Sequence, residues 1–220
     1  MYKLEAGLLE HVILDIRTVR SYYGPMTIGR PLQFDPERAL ESAMQLFWQK
    51  GYEATSLQDL LKATGLSKSS LYKEFGSKHI LFERSIELYR GDMVQNLEEM
   101  LSKSASGLEF IEQFFQEVAK ETRGKNARRG CLVMNTATEF AQSDPVISKL
   151  VKRGTASFRD TFEAAVIRAQ SEGDIPESKN SKVLATYLMT SMSGLKTQIK
   201  AGASAEEVKS ITKIILSALK

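Results

Sequence analysis

The sequence predicts an all-α fold in two parts, a set of short helices near the N-terminus followed by a larger helical body. Three observations predict it. Apolar residues recur three or four positions apart along every long stretch. Those stretches open on Ser or Asp and close on Gly, which is how helices are punctuated. No segment carries the alternating pattern and tight turn of a β-hairpin, and no internal repeat is visible. At 220 residues and 42% hydrophobic content, the chain is long enough to bury a core of this kind.

Residues 1–28 read as an N-terminal extension, in which Leu8 to Val19 fit a short amphipathic helix and His11 is a bystander. Gly29-Arg30-Pro31 then forms a basic arm. Ahead of a DNA-binding domain such an arm can reach the minor groove or the backbone, and otherwise it is a solvated tail. The first helix of the body starts at Asp35 as cap and Pro36 as first helical residue. Leu40, Ala43, Met44 and Phe47 form its inward stripe, and Gly51 stops it. Trp48 and Tyr52 extend the apolar surface and are expected to pack against the next helices.

Thr55 to Phe82 holds two short helices, a tight turn and the start of a third helix. Ser56 or Thr55 caps the first, Leu57, Leu60, Leu61 and Ala63 give it an apolar stripe, and Gly65 suits the left-handed residue after its end. Ser67 caps the second. Leu71 and Phe75, four apart, face one side, while Lys68, Ser69, Tyr72 and Lys73 occupy the remaining surface. A short, capped, half-polar helix of this kind can offer its N-terminal residues to base edges in a major groove. Ser77 caps the following helix, whose first residue Lys78 stands where free N–H groups and a positive charge can share a phosphate. The net charge of the chain is only +3, so a DNA-facing charge has to be local. Lys62, Lys68, Lys73 and Lys78 lie against Glu74 alone between positions 62 and 79.

From Gly29 to Phe82 the sequence resembles the TetR family of bacterial transcriptional repressors. The motifs GRP, LFxxxGYxxTS, ATGLSKSSLYxxF and GSK occur in order at the family's spacing, with departures at Glu74 and His79. The resemblance implies a helix-turn-helix DNA-binding domain over residues 29–82 and a ligand-binding and dimerisation domain over 83–220. It implies DNA contacts from Arg30, Thr55, Ser56, Gln58, Ser67, Lys68, Ser69, Ser70, Tyr72, Lys73 and Lys78. The implied partners are double-stranded operator DNA, a small-molecule effector and a second copy of the chain.

A long helix from Ser77 to about Leu101 carries Leu81, Phe82, Ile86, Tyr89, Met93, Leu97 and Met100 and bridges the two parts. After the serine-rich break SKSASG, Ser106 and Glu109 predict a capping box for a helix with Ile111, Phe114, Phe115 and Val118. The basic segment 123–130 reads as a mobile surface connection, or alternatively as a site for an acidic ligand. In CLVMNTATEF, taken as helical, Cys131, Asn135, Thr138 and Gln142 share one side. Such a polar strip suits an effector cavity, whose predicted residues are Cys131, Asn135, Thr138, Phe158 and Phe162. The alternative is a thiol sensor of oxidants or electrophiles at Cys131. Some proteins that resemble this chain across GCL use that cysteine so, and Arg128, Arg129 and a helix N-terminus would favour the thiolate. Asn135 and Thr138 favour the reversible ligand site, since a redox switch needs neither.

Asp144-Pro145 opens a helix running to Glu172, with Ile147, Leu150, Val151, Phe158, Phe162, Val166 and Ala169 inward, and GDIP breaks it. Two amphipathic helices close the chain, the second opened by a Ser204–Glu207 capping box. With the resemblance, Leu188, Met192, Leu195, Val208, Ile211 and Ile215 are expected to form a four-helix dimer interface.

The remaining expectations are negative. One cysteine, two distant histidines and the lack of HExxH, GxSxG or P-loop patterns point away from an enzyme, a metal site or a cofactor. No apolar run approaches a membrane span, and no secretory signal is evident, which predicts a cytoplasmic protein. A constitutive DNA-binding protein without an effector is the other alternative, and it predicts no cavity in the C-terminal half.

Overall fold

The computed structural model describes residues 34–123, 127–140 and 143–220. The expectations for the N-terminal extension, for Arg30 and its arm, and for Gln142 lie outside those residues. Among them stand nine α-helices: α1 (Pro36–Lys50), α2 (Leu57–Thr64), α3 (Lys68–Phe75), α4 (Lys78–Lys103), α5 (Gly107–Lys120), α6 (Leu132–Phe140), α7 (Pro145–Ser171), α8 (Ser181–Ala201) and α9 (Ala205–Ser217). A 3-10 turn, Glu121–Arg123, extends α5. No described helix is long and apolar enough to cross a membrane.

α1, α2, α3 and the first turns of α4 gather around an aromatic and aliphatic cluster. Ala43, Phe47, Leu60, Leu71, Phe75 and Phe82 are all buried there. Phe47 meets Phe82 edge-on, with centroids 4.9 Å apart. Each large side chain buried in this way contributes about 1.5–3 kcal/mol, so the small cluster outweighs the weak intrinsic stability of eight-residue helices. Four residues of the expected stripes are not fully buried in it: Leu40, Leu57 and Leu61 are half-buried and Ala63 is exposed. The boundary drawn at 82/83 falls inside α4, which continues unbroken into the second part.

In that second part α5, α7 and α8 pack together and α9 lies against α5. Phe110, Phe115, Phe162, Ala165 and Leu188 form the buried centre. The approach of α5 to α7 depends on Gly107. A Cβ at that position would stand 2.2 Å from the Ala165 carbonyl oxygen and 2.6 Å from the Ala169 nitrogen, so only glycine fits. The same corner is tied electrostatically. Arg168 of α7 donates to the carbonyls of Leu101, Ser104 and Ala105 near the C-terminus of α4. Glu172, held by Arg168, accepts from the Gly107 N–H at the start of α5. A cation at one helix C-terminus and an anion at the next N-terminus both complement the helix dipoles.

Most of the helix ends are closed by the residues expected from the sequence. Ser56, Ser67, Ser77, Asp144 and Ser204 act as N-caps, and complete capping boxes join Ser56 to Asp59 and Ser204 to Glu207. The box expected at α5 is half made. Ser106 Oγ accepts from the Glu109 N–H, but the Glu109 carboxylate reaches one residue further back, to the N–H of Ala105.

The expected dimer stripe is corrected in the same way. Leu188, Met192, Leu195, Val208 and Ile215 are buried within the single chain, because α8 and α9 turn those faces toward α7 and α5. Of the six, only Ile211 is exposed, at 41%. The apolar residues left uncovered on these helices are Val183, Ile211 and Ile214.

Candidate nucleic-acid interface and effector cavity

The turn between α2 and α3 is built by side chains that satisfy backbone groups at adjoining helix ends. At the start of α2, Ser56 Oγ accepts from the Asp59 N–H at 3.1 Å, and Asp59 Oδ2 accepts from the Ser56 N–H at 3.0 Å. Lys50 pairs with Asp59 at 2.9 Å. Its hydrogen bond, with those from Ser56, holds the Asp59 carboxyl down at about 2, so the box stays closed at any ordinary pH. α2 ends at Gly65, φ +70°, whose N–H reaches the Leu61 carbonyl. Thr64 Oγ1 then accepts from the Leu66 N–H at 3.3 Å, and Ser67 Oγ caps α3 on the Ser70 N–H at 3.2 Å.

With both ends fixed, α3 sits with Leu71 and Phe75 buried and Lys68, Ser69, Tyr72 and Lys73 exposed. Gln58 is exposed near the start of α2, and Ser56 beside it. Most of the predicted residues of α2 and α3 are therefore open to solvent, with three qualifications. Thr55 is wholly buried, and its hydroxyl donates to the Gly51 carbonyl at 2.6 Å, so it braces the end of α1 and presents no surface to DNA. The Ser67 and Ser70 hydroxyls are engaged with each other at 2.9 Å. Lys78 is half-buried, with Nζ 4.2 Å from the centre of the Tyr52 ring, which orients its ammonium by a cation–π contact.

His79, one of the two departures from the family pattern, contacts no exposed surface of α3. Its ring nitrogens stand 2.7 Å from Glu83 Oε1 on α4 and 2.6 Å from Asp144 Oδ2 at the N-cap of α7. The hydrogen bond to Asp144, and then that to Glu83, raise its pKa against the opposing effect of burial.

This bridge belongs to a joint that sequence reasoning missed. Glu139, near the end of α6, accepts from the N–H groups of Tyr52 and Glu53 at 3.1 and 2.8 Å, and so caps the turn after α1. Phe140 packs on Tyr52 and Phe82 with centroids 5.3 and 5.5 Å away. At the other end of α6, Trp48 Nε1 donates to the Gly130 carbonyl at 3.1 Å. Arg129 donates to Gln45 at 2.6 Å and lies over the Trp48 ring. The expectation that segment 123–130 is a mobile connection is thus corrected for its described end, which is docked on α1. The available signals were weak: an unexplained histidine, and a tryptophan placed where only packing was expected.

Within the body, among α4, α5, α7 and α8, lies a small cavity of about 10 Å³. Its walls are Tyr89, Met93 and Leu97 of α4, Phe114 of α5, Cys131, Phe158 and Phe162 of α7, and Met192 and Lys196 of α8. That volume is about the minimum that admits one water molecule, so a ligand enters only by moving the walls. Met93 and Met192, unbranched and adaptable, are the side chains best able to give way. Of the predicted effector residues, Cys131, Phe158 and Phe162 meet here and Asn135 and Thr138 do not. The Asn135 amide donates to the Arg129 carbonyl at 2.7 Å and its oxygen accepts from Lys200. Thr138 is exposed and bonds back to the Asn135 carbonyl. Cys131 itself, 4% exposed, lies beside the Tyr89 phenol, whose pKa is pushed up by burial and then by that neighbouring thiol.

Comparison with known proteins covers both parts. Residues 39–84 match the family model described as bacterial regulatory proteins, tetR family, and residues 107–215 match that described as tetracyclin repressor-like, C-terminal domain. The HTH-type transcriptional repressor ComR of Escherichia coli (strain K12) is 33% identical over 184 residues, spanning 83% of this chain and 88% of that protein. An uncharacterized HTH-type transcriptional regulator of Bacillus subtilis (strain 168), YezE, is 31% identical over 193 residues, or 87% of this chain and 100% of that protein. Among solved structures, a cysteine mutant of the regulator CifR, complexed with 26-base-pair double-strand operator DNA, superposes with a TM-score of 0.76. It is 27% identical and covers 87% of this chain and 100% of that one.

Proposed function

Since the chain belongs to the TetR family of bacterial regulatory proteins, we propose that it is a cytoplasmic, homodimeric repressor that binds operator DNA through α2 and α3 and is released by a small effector bound in the cavity of its C-terminal body. The observation that carries the DNA-binding half is the exposure of Gln58, Lys68, Ser69, Tyr72 and Lys73 on two short helices whose facing ends are capped by Gly65 and Ser67. The solved relative in complex with operator DNA supports the same use of that surface. In a dimer two such helices have to meet successive major grooves, about 34 Å apart. Val183, Ile211 and Ile214, uncovered on α8 and α9, are the apolar surface available for the second copy.

Release follows from the joint. α6 begins one residue beyond Cys131 in the cavity wall and ends in Glu139 and Phe140 against the Tyr52 turn. A ligand that opens the cavity displaces one end of α6 and, through the other, the helices that carry α3. The effector gains its leverage only if it binds the displaced arrangement more tightly than the DNA-bound one. Fluorescence anisotropy with DNA from the region upstream of the gene tests the proposal. The intact chain binds it, and the double change Lys68→Ala with Lys73→Ala abolishes the preference for it over unrelated DNA. Equal binding of both DNAs by the intact chain would refute it.

One observation favours a second reading, since Cys131 and not Asn135 faces the cavity. An electrophile small enough to enter meets that thiol. Cys131→Ser then keeps operator binding and loses release by a mild electrophile, whereas a reversible effector still acts on it.

A further inference from the structure

Resting on the cavity as the effector site, the chemistry of its wall points to the class of ligand. We propose that the effector is a small, largely aromatic or aliphatic molecule carrying one negative charge, whose anionic group takes Lys196 over from Glu121.

Lys196 is only 6% exposed, on a wall otherwise made of Phe, Leu and Met side chains with one Tyr and one Cys. An ammonium in such surroundings requires a counterion. Its partner among the described residues is Glu121, whose two carboxylate oxygens accept from Nζ at 2.6 and 2.9 Å. Glu121 is not part of the cavity lining. It is the residue that ends α5, where the helix dipole disfavours a negative charge, and its side chain is 31% exposed. The carboxylate is thus a replaceable counterion: it stands in an unfavourable place, and solvent is open to it once Lys196 is satisfied otherwise. The other polar side chains of the lining, the Tyr89 phenol and the Cys131 thiol, interact with each other, and no carboxylate or amide side chain lines the cavity. The surface the cavity exposes is apolar throughout, so Lys196 lines it with its aliphatic stem while Nζ is turned to Glu121. Once a ligand parts the walls, that buried cation favours an anion over a neutral amide and repels a second cation. The apolar remainder of the ligand is matched by Phe114, Phe158 and Phe162, with Met93 and Met192 yielding the space.

Calorimetric titration of the full chain with naphthalene carboxylate, its neutral carboxamide and naphthylmethylammonium tests this. The carboxylate binds tighter than the carboxamide by about tenfold to a hundredfold, the range of one charged hydrogen bond, and the ammonium does not bind. Glu121→Gln, which leaves Lys196 without its counterion, tightens the carboxylate by about tenfold or more and leaves the carboxamide unchanged. Lys196→Met removes the preference between the two. Should circular dichroism show Lys196→Met unfolded, Glu121→Gln on the more exposed partner decides alone. Carboxamide and carboxylate binding with equal affinity, or a carboxylate affinity unchanged in Glu121→Gln, overturns the anionic ligand and leaves the cavity as a site for neutral molecules. No binding by any of the three overturns the effector cavity itself, and this inference with it.

Discussion

Single residues at the DNA-facing surface divide by what holds them. Lys68 stands free at the start of α3, and Gln58 near the start of α2, so each is placed to meet a base edge. Lys68→Ala and Gln58→Ala should each reduce discrimination between operator and unrelated DNA by about 1–3 kcal/mol. Lys78, steadied over the Tyr52 ring, suits a phosphate. Lys78→Ala should weaken all sequences alike and lower the slope of binding against salt by about 1. Anisotropy over a salt series separates the two outcomes. His79 sets a pH dependence. Its pKa is raised above the ordinary value of 6.5 by Asp144 and Glu83, so the bridge stabilises the fold fully below that value and loses its contribution as pH rises through the folded pKa. The Asp144 carboxyl is lowered, by the Ile147 N–H first and then by His79, and its contribution is lost separately, in acid. The thermal midpoint of the intact chain should therefore fall from pH 6 to pH 9 by more than that of His79→Gln, a window set by the raised histidine. Parallel profiles would mean that the bridge is not formed in solution.

At the scale of elements, α6 runs from Cys131 beside the cavity to the Tyr52 turn after α1, and α4 both lines the cavity and packs on α1 and α3. The only tryptophan of the chain, Trp48, is bonded to the carbonyl of Gly130, just ahead of Cys131. A ligand that moves α6 should break that bond and shift tryptophan emission, and Glu139→Ala, which frees the far end of α6, should leave the shift while reducing operator release. An emission spectrum unchanged at ligand saturation would place the transmission elsewhere, with α4 the remaining continuous path. The α5–α7 contact makes a simpler demand. Gly107→Ala sets a methyl against two backbone atoms that cannot turn aside, and overpacking of this kind costs about 1–3 kcal/mol or more, read as a lowered denaturant midpoint.

For the whole molecule, the distinction between faces of α8 and α9 decides what a mutation does. Val183 and Ile214, at 64% and 68% exposure, are the most exposed large apolar side chains among the described residues. Ile214→Glu with Val183→Glu should dissociate the dimer at micromolar concentration in a sedimentation experiment while the helix content persists. Leu195→Glu, by contrast, places a charge in the core of the single chain and should unfold it. A dimer that survives the surface pair would locate the interface away from these helices.

What the sequence determined by itself is whatever is decided within a turn or two of backbone. Helix bounds, the Ser and Asp caps, the glycine after α2 and the polar face of α3 all depend on residues three or four apart, so periodicity and capping chemistry were enough to read them. The family motifs are local in the same sense. The tertiary structure decided which long-range partner each ambiguous side chain found. Arg129 reaches Gln45 across 84 positions, Glu139 reaches Tyr52 across 87 and His79 reaches Asp144 across 65. Nothing in the immediate neighbourhood of those residues specifies such pairings. The same reason governs α8 and α9 and the strip on α6. A helical period says that a face is apolar, or that Cys131, Asn135 and Thr138 share a side. Whether that face meets its own core or a second chain, and which of those side chains meets the cavity, follows from where α4, α5 and α7 stand, because burial belongs to the packed assembly of helices and not to any one of them.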